Sequence, residues 1–345
     1  MTFVSVARRA SRGLGAALLS VGVLAACGGS TSQLETFIPT RLVVLGDETS
    51  ALIDRDGNGN GYQYGMNGLD STDTTNATIN CTDSSRVVWV QRLAGSYGLV
   101  FKECNPSQLA DSRLNALMLA KFGATVRAVE AQVANFNANI ANEPLGDKDM
   151  VTVLIGTHDI VEIYSDNLIY GSEGEKLAEA EARGRRVALL VNGITDRGPR
   201  VLVSQIMDMG ITPWALSQGT TEAKLLTRLS EAFNKGMRLE LLNDGSKIGL
   251  LAVNDLVSNL STFGGYNTTE LACDEDHVEP VSVLDDDGDG FIDGGGVLST
   301  CTTATVRSDT AASQYLWADG ISLNSRIFQS QLGSSAVSRA RANPF

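Results

Sequence analysis

Histidine and positive charge are scarce in this sequence. Its 345 residues include two histidines, and 27 lysines and arginines face 40 aspartates and glutamates, which gives a net charge of −13 at pH 7. So acidic a chain is poorly suited to binding nucleic acid, and we expect no nucleic-acid partner. The histidine count and the cysteine spacing also disfavour a zinc centre. We expect no organic cofactor.

Long apolar runs are missing as well, except near the start of the chain. Arg8, Arg9 and Arg12 precede an apolar run from Leu14 to Ala26. This run is too short to cross a bilayer and ends in small residues, which is typical of a signal peptide covering residues 1–26. We expect no membrane span in the rest of the chain.

The end of this leader carries a second signal. Leu24-Ala25-Ala26-Cys27 resembles a lipobox, in which the cysteine is acylated, for example with palmitate, and becomes the first residue of the mature protein. The resemblance implies a lipid anchor at Cys27, a lipidated tether over residues 27–36 and a place in the cell envelope. No acidic residue follows Cys27, which favours the outer membrane. The alternative is an ordinary cleaved signal followed by a stray cysteine.

Four cysteines remain after Cys27, and an even number in an exported chain predicts disulfides. Proximity in sequence favours pairing Cys81 with Cys104 and Cys273 with Cys301. The other two pairings stay open, because connectivity does not follow from sequence alone.

Apolar strand-like runs alternate with segments of helical periodicity along residues 37–345, which predicts a single domain with a mostly parallel sheet covered on both faces. The predicted strands are residues 41–47, 150–155, 200–206 and 247–253. The predicted helices are residues 87–99, 109–136 with a break near Phe122-Gly123, 173–192 and 222–242. Two stretches rich in glycine and polar residues, about 54–83 and 264–309, interrupt the alternation, and we interpret them as disulfide-tied loop insertions.

Three short motifs follow or close these elements. The first predicted strand ends in Gly46-Asp47 and is followed by Glu48; Gly156-Thr157-His158-Asp159 follows the second; and Asp319-Gly320-Ile321-Ser322 lies near the end of the chain. In this order they resemble the Gly-Asp-Ser, Gly-x-Asn-Asp and Asp-Gly-x-His blocks of the SGNH/GDSL hydrolase superfamily of GDSL-like lipases and esterases. A looser match over Asn115–Ala124 places the family's oxyanion glycine at Gly123.

Two further segments support the resemblance. Val201–Pro213 is similar to the family's strand and Asp-x-Gly-x-Thr-Pro turn, and Phe233-Asn234 lies in a helix that commonly carries this pair. The resemblance therefore covers nearly all of the mature chain. It implies a three-layer αβα, flavodoxin-like fold.

The resemblance also implies a damaged catalytic site. Esterases of this type use a serine nucleophile, a histidine base and an orienting aspartate. Here Glu48 stands at the serine position, His158 at the oxyanion asparagine and Ser322 at the histidine, while Gly123 and Asp319 are retained. We therefore expect the usual activity to be lost, leaving a pseudoenzyme that binds an acyl or glycan ligand or serves in envelope assembly.

Two other hypotheses compete with the pseudoenzyme hypothesis. Serine, histidine and a carboxylate are all still present, so Ser322 as nucleophile, His158 as base and Glu48 as its orienting carboxylate would make a redistributed triad and an active acyl hydrolase. The third hypothesis is a structural surface lipoprotein without a ligand. Ser50 as a rescue nucleophile and His277 as a base are weaker candidates, because Ser50 lies two residues beyond the family position and His277 lies in an insertion.

The second insertion carries a pattern typical of calcium loops. Carboxylates occupy loop positions one, three, five and nine, with Phe291 at seven and Gly290 at six for a sharp turn, which predicts Ca²⁺ binding by Asp285, Asp287, Asp289, Phe291 and Asp293. Position twelve is Gly296 and not glutamate, so a bidentate ligand must come from elsewhere. A solvated acidic turn is the alternative. The stretch Asp54–Gly61 is a weaker copy, for which an Asx-rich turn is equally compatible.

Overall fold

The computed structural model describes residues 37–53, 62–63, 87–137, 144–273, 281, 283, 285, 288–292, 307, 314–323, 325–342 and 345. The chain divides into an N-terminal unit, Met1–Phe37, and a compact unit, Ile38–Phe345. The predicted signal peptide, tether and Cys27 lie outside the described residues. No helix in the described ranges is long and apolar enough to cross a membrane.

A five-stranded sheet forms the centre of the compact unit. Its strands are β1 (Arg41–Gly46), β4 (Ala116–Met118), β5 (Asp149–Leu154), β6 (Arg200–Ser204) and β7 (Ile248–Leu251). They pair in parallel in the order β4-β1-β5-β6-β7. Numbered within the sheet this order is 2-1-3-4-5, the flavodoxin-like order, so the predicted parallel α/β architecture is confirmed.

Helices cover both faces of this sheet. They are α1 (Trp89–Gly95), α2 (Val126–Asn135), α3 (Thr157–Ser165), α4 (Glu173–Thr195), α5 (Pro213–Gln218), α6 (Thr220–Glu240), α7 (Val253–Phe263) and α8 (Ser325–Ala340). On one side α4 packs against α6, α2, α3 and β6, while α8 packs against α1, α7 and β7. The central strands are buried on both faces, because helices lie above and below them.

One predicted element is wrong. The segment 109–136, predicted to be a broken helix, contains a short 3₁₀ turn at Asp111–Arg113, then strand β4, and becomes α-helical only at Val126. A short apolar run such as Ala116–Ala120 has no periodicity that separates strand from helix. Pairing with β1 decides the conformation, and it adds a fifth strand to the four that were predicted.

Each predicted loop insertion contains a strand that pairs with a strand just outside it. β2 (Leu52–Ile53) pairs antiparallel with β3 (Tyr62–Gln63), and β8 (Asn267–Leu271) pairs in parallel with β9 (Tyr315–Trp317). The start of the second insertion is thus a strand and not a loop.

The cysteines are only partly described. Cys104 and Cys273 are each disulfide-bonded. Cys81 and Cys301 lie outside the described residues, so the predicted pairing of these four cysteines stays a prediction.

Candidate functional site

The candidate site lies at the point where the strand order of the sheet reverses. β1 has β4 on one side and β5 on the other, so the crossovers that follow β1 and β5 leave the sheet in opposite directions. Parallel α/β sheets bind ligands beyond the carboxyl ends of the strands at such a point. Glu48 follows the end of β1, and His158 is the second residue of α3, just after β5.

Glu48 joins two of the other predicted site residues. Its Oε1 lies 2.6 Å from His158 Nε2, and its Oε2 accepts a hydrogen bond from the Gly123 backbone N–H at 3.1 Å. Glu48 and His158 are 5% and 1% exposed, so both contacts are shielded from water. The structure therefore places a carboxylate on the N–H that the resemblance assigns to the oxyanion hole.

His158 is held as a cation by this arrangement. Burial alone would lower its pKa, but the charge and hydrogen bond of Glu48, together with the charges of Asp47 and Asp159, outweigh burial and raise the pKa to about 9. An imidazolium at neutral pH is not a general base, because it has no free lone pair to accept a proton. Its Nδ1 is buried without a hydrogen-bond partner among the described residues.

Asp47 adds a second buried carboxyl group to the site. Its Oδ1 accepts a hydrogen bond from the Thr49 N–H at 2.9 Å, whereas its Oδ2 is buried without a partner in the described part of the chain. Burial, with a smaller contribution from the charge of Glu48, raises the pKa of Asp47 to about 7. Among the carboxylates that raise the His158 pKa, Glu48 has the largest effect.

Asp319 and Ser322 form a separate turn beside this pair. The Asp319 Oδ1 accepts hydrogen bonds from the backbone N–H groups of Ile321 at 2.9 Å and Ser322 at 2.7 Å. Burial raises the Asp319 pKa, and hydrogen bonds from the Ile321 and Ser322 residues act to lower it, while Oδ2 is buried without a partner among the described residues. Asp319 thus caps its own turn.

The redistributed triad is only half formed. Its contact between Glu48 and His158 is present at 2.6 Å. The contact from Ser322 to His158 is missing within the described residues, because His158 Nδ1 has no partner and Nε2 contacts Glu48. The Ser322–His158 hydrogen bond that this hypothesis requires is therefore absent from the described residues.

The cavity above the pair is small. It measures about 30 Å³ and is lined by Glu48 and Ser322 together with mainly apolar side chains, among them Leu154, Ile206, Met207, Val253, Leu323 and Phe328. A water molecule needs roughly 10–15 Å³ of such space, so the cavity holds about two. A long acyl chain does not fit this conformation.

The backbone around Glu48 and His158 is fixed by glycine and amide contacts. Gly46 has φ +136°, and a Cβ there would lie 2.1 Å from the Leu154 carbonyl oxygen. The Gln132 amide donates to the Gly46 carbonyl at 3.1 Å and accepts from the Gly46 N–H at 3.0 Å. Gly156, with φ +125°, has no room for a Cβ beside Phe233. These constraints explain the glycines that precede the two site residues.

The predicted Phe233-Asn234 pair has a similar positioning role. The Asn234 side chain accepts from the Ile206 N–H at 3.0 Å and donates to the Ile206 carbonyl at 2.9 Å, which fixes the backbone just past β6. Ile206 lines the small cavity. Asn234 therefore supports one wall of the cleft.

A buried arginine that sequence reasoning missed lies behind His158. Arg183 of α4 donates to Asp159 at 2.9 Å, to Glu162 and to Glu179 at 2.9 Å. Asp159 also accepts from the N–H of Val126, the first residue of α2, at 3.0 Å. This network links the helix after Gly123 to the helix that carries His158. An arginine in a charged, alanine-rich helix gives no sequence signal of burial.

The two weaker candidates are not part of this arrangement. Ser50 is fully buried, and its hydroxyl accepts a hydrogen bond from the Trp89 indole N–H at 3.1 Å. It holds a core tryptophan and does not contact His158. His277 lies outside the described residues.

The described part of the predicted calcium loop packs against the Gly123 segment. The Gly290 carbonyl accepts from the Thr125 N–H at 3.0 Å and its hydroxyl at 2.6 Å, and the Ile292 N–H donates to the Gly123 carbonyl at 2.8 Å. A Cβ on Gly290 would lie 2.8 Å from the Ala128 nitrogen, so this close approach requires glycine. The loop thus buttresses the residue whose N–H binds Glu48.

The calcium ligands themselves are incompletely described. Asp285 accepts hydrogen bonds from the loop N–H groups of Gly288 and Gly290 and pairs with Arg127 at 2.9 Å, while Asp289 accepts from the Phe291 N–H. Asp287 and Asp293 lie outside the described residues, and the described ranges hold no cluster of three metal-ligating side chains. The calcium site stays a prediction.

This prediction is tested by thermal unfolding. We expect the melting temperature in millimolar calcium to exceed that in chelator, and residues 273–301 to resist protease, because a bound cation offsets repulsion among the loop carboxylates. Asp289→Asn should reduce the calcium effect. Identical melting curves with and without calcium would contradict the predicted calcium site.

Comparisons with known proteins give weak similarity. No family model and no curated protein matches the chain. Among solved structures it is similar to an alpha/beta hydrolase enzyme from the metagenome of Lake Arreo, Spain, with 14% identity, 76% of this chain and 91% of that chain covered and a TM-score of 0.37. A variant acetyl xylan esterase from Geobacillus stearothermophilus matches with 15% identity, coverage of 70% and 86% and a TM-score of 0.36.

A third similar structure is phospholipase A1 from Streptomyces albidoflavus NA297, with 13% identity, coverage of 75% and 94% and a TM-score of 0.35. Similarity at this level supports no conclusion about activity. The strand order and the site geometry of this chain therefore carry the functional argument.

Proposed function

We propose that this protein is a lipid-anchored envelope protein with an SGNH-type esterase fold that no longer hydrolyses esters through serine and acts as a binding or assembly module. The observation that carries the proposal is the position of Glu48, whose carboxylate bridges His158 Nε2 and the Gly123 N–H. A reacting ester would need that N–H for its developing oxyanion. Because Glu48 occupies this position, its carboxylate already accepts the hydrogen bond of the Gly123 N–H.

The charge state of His158 supports the same conclusion. A pKa near 9 keeps the ring protonated at neutral pH, so it would not deprotonate a hydroxyl. The small volume of the cavity adds a steric reason. A ligand of the cavity beside Glu48 must be no larger than a small acyl group such as acetyl, or must widen the cavity on binding.

Lipid anchoring at Cys27 and an outer-membrane location complete the proposal, and both rest on the leader sequence. Mass spectrometry of the protein purified from membranes is expected to show an acylated Cys27 as the first residue. Recovery of the protein in the soluble fraction, starting at another residue, would contradict anchoring.

The alternative function is an active acyl hydrolase that uses Ser322, His158 and Glu48. One observation favours it, namely the Glu48–His158 contact at 2.6 Å. It requires a hydrogen bond between the Ser322 hydroxyl and His158 and loss of the proton on His158.

An activity screen separates the two functions. The purified protein is assayed on short p-nitrophenyl esters and acetylated glycans at controlled calcium, beside the Ser322→Ala and His158→Ala variants. We expect no saturable hydrolysis and no difference among the three proteins. Saturable turnover that either variant abolishes, with fluorophosphonate labelling of Ser322, would establish the hydrolase instead.

A further inference from the structure

A larger groove lies away from Glu48, between an edge of the main sheet and the C-terminal helix. β7 is the last strand of the sheet order, and the groove runs between β7, the start of α7 and α8. Its cavity measures about 410 Å³, within the range of roughly 300–1,000 Å³ typical of small-molecule sites. Its walls are largely apolar and include Leu250, Leu251, Val253, Leu256, Leu332 and Ala342.

The polar part of the groove is formed by Ser335, Ser338 and Arg339 of α8. Among the described residues, the Arg339 Nε is buried without a hydrogen-bond partner and no carboxylate pairs with this guanidinium. Unpaired arginine is unexpected in a chain with 40 acidic and 27 basic residues. A partly buried guanidinium attracts a carboxylate strongly, because its planar donors match two oxygens.

We propose that this groove binds a saturated fatty acid, with its carboxylate on Arg339 and its chain against the leucines of β7, α7 and α8. An apolar trough with one cation near the hydroxyls of Ser335 and Ser338 complements the single charge and the unbranched chain of such a molecule. The site is separate from Glu48 and His158, and the proposal does not depend on whether the protein hydrolyses esters.

The first test measures chain-length dependence. Saturated fatty acids of eight, ten and twelve carbons, each below its micellar concentration, are titrated into the purified protein by calorimetry. Each methylene that leaves water contributes about 0.8 kcal/mol, so we expect the affinity to rise about fourfold per added carbon while the chain stays within the groove. Dodecanol should bind about tenfold or more weakly than dodecanoate, because it lacks the charge that pairs with Arg339.

Variants locate the binding. Arg339→Gln is expected to weaken dodecanoate about tenfold and to leave dodecanol unchanged, whereas Arg238→Gln, which removes an exposed arginine of α6, should change neither. Leu256→Glu places a carboxylate in the trough and should abolish binding of both ligands. Circular dichroism melts verify that each variant is folded.

Two results would overturn the proposal. The first is no detectable binding of dodecanoate by the parent protein. The second is binding that Arg339→Gln and Leu256→Glu both leave unchanged, since the fatty acid would then lie elsewhere on the molecule, for example in the small cleft above Glu48.

Discussion

Replacing Glu48 by serine, His158 by asparagine and Ser322 by histidine together is expected to create ester hydrolysis at least about a hundredfold above that of the parent protein. The triple variant returns three positions to the residue types of the SGNH blocks. It also removes the carboxylate that now holds the Gly123 N–H. A complete triad contributes on the order of 10⁶ in rate in well-studied hydrolases, so an imperfectly aligned one should still be measurable.

The geometry supports this expectation. Glu48 and Ser322 line the same cavity, and the charge of Glu48 is near enough to raise the pKa of Asp319. A histidine at position 322 would therefore lie between a serine at 48 and the buried Asp319 carboxyl group, as a triad requires.

The matched control carries alanine in place of Glu48, with the other two substitutions kept. It has the same cavity and the same new histidine but no nucleophile. Assays on p-nitrophenyl acetate should show turnover in the serine variant alone. If both proteins unfold cooperatively and neither turns over substrate, the three blocks do not converge on one catalytic site.

A second variant with a large expected effect on stability replaces the buried Arg183. Arg183→Met should lower the free energy of unfolding by about 3–5 kcal/mol, because Asp159 would remain buried without its cation and Glu162 would keep only the longer contact with Arg127 at 3.4 Å. The Arg183 side chain is 8% exposed, so water does not replace it.

Arg185→Met is the control for the same chemical change. Arg185 lies two residues along α4, is 45% exposed and pairs with Glu181 at 2.6 Å. An exposed pair contributes about 1 kcal/mol or less. Denaturant unfolding of the two variants should therefore separate them by at least about 2 kcal/mol. Equal losses would show that the Arg183 network does not stabilise the fold.

Much of the fold could be predicted because its elements are long or strongly apolar. The buried run Val43–Leu45 and the long amphipathic helix α6 are examples, and both lie within two residues of their predicted bounds. β4 could not be predicted, since its three residues become a strand only by pairing with β1. Its conformation is a consequence of tertiary structure.

The sequence identified which residues form the site, but it predicted only part of their geometry. The motifs identify Glu48, Gly123 and His158, which meet at hydrogen-bond distances. Sequence does not show which hydrogen bonds a side chain makes, and in the described residues His158 Nδ1 receives none from Ser322. Nor does it show that His158 is charged, because this follows from the balance between burial and the nearby carboxylates.

The most direct test of the account is the pKa of His158, measured by NMR titration of the imidazole carbons and nitrogens. The chain has two histidines, so a His277→Gln variant assigns the signals. A ring locked in an ion pair with Glu48 should stay protonated through neutral pH and titrate near pH 9. Glu48→Gln should shift that titration downward by more than one unit, because it removes the main counter-charge. A His158 that titrates at or below pH 6.5 in the parent protein would contradict the ion pair and restore a possible general base.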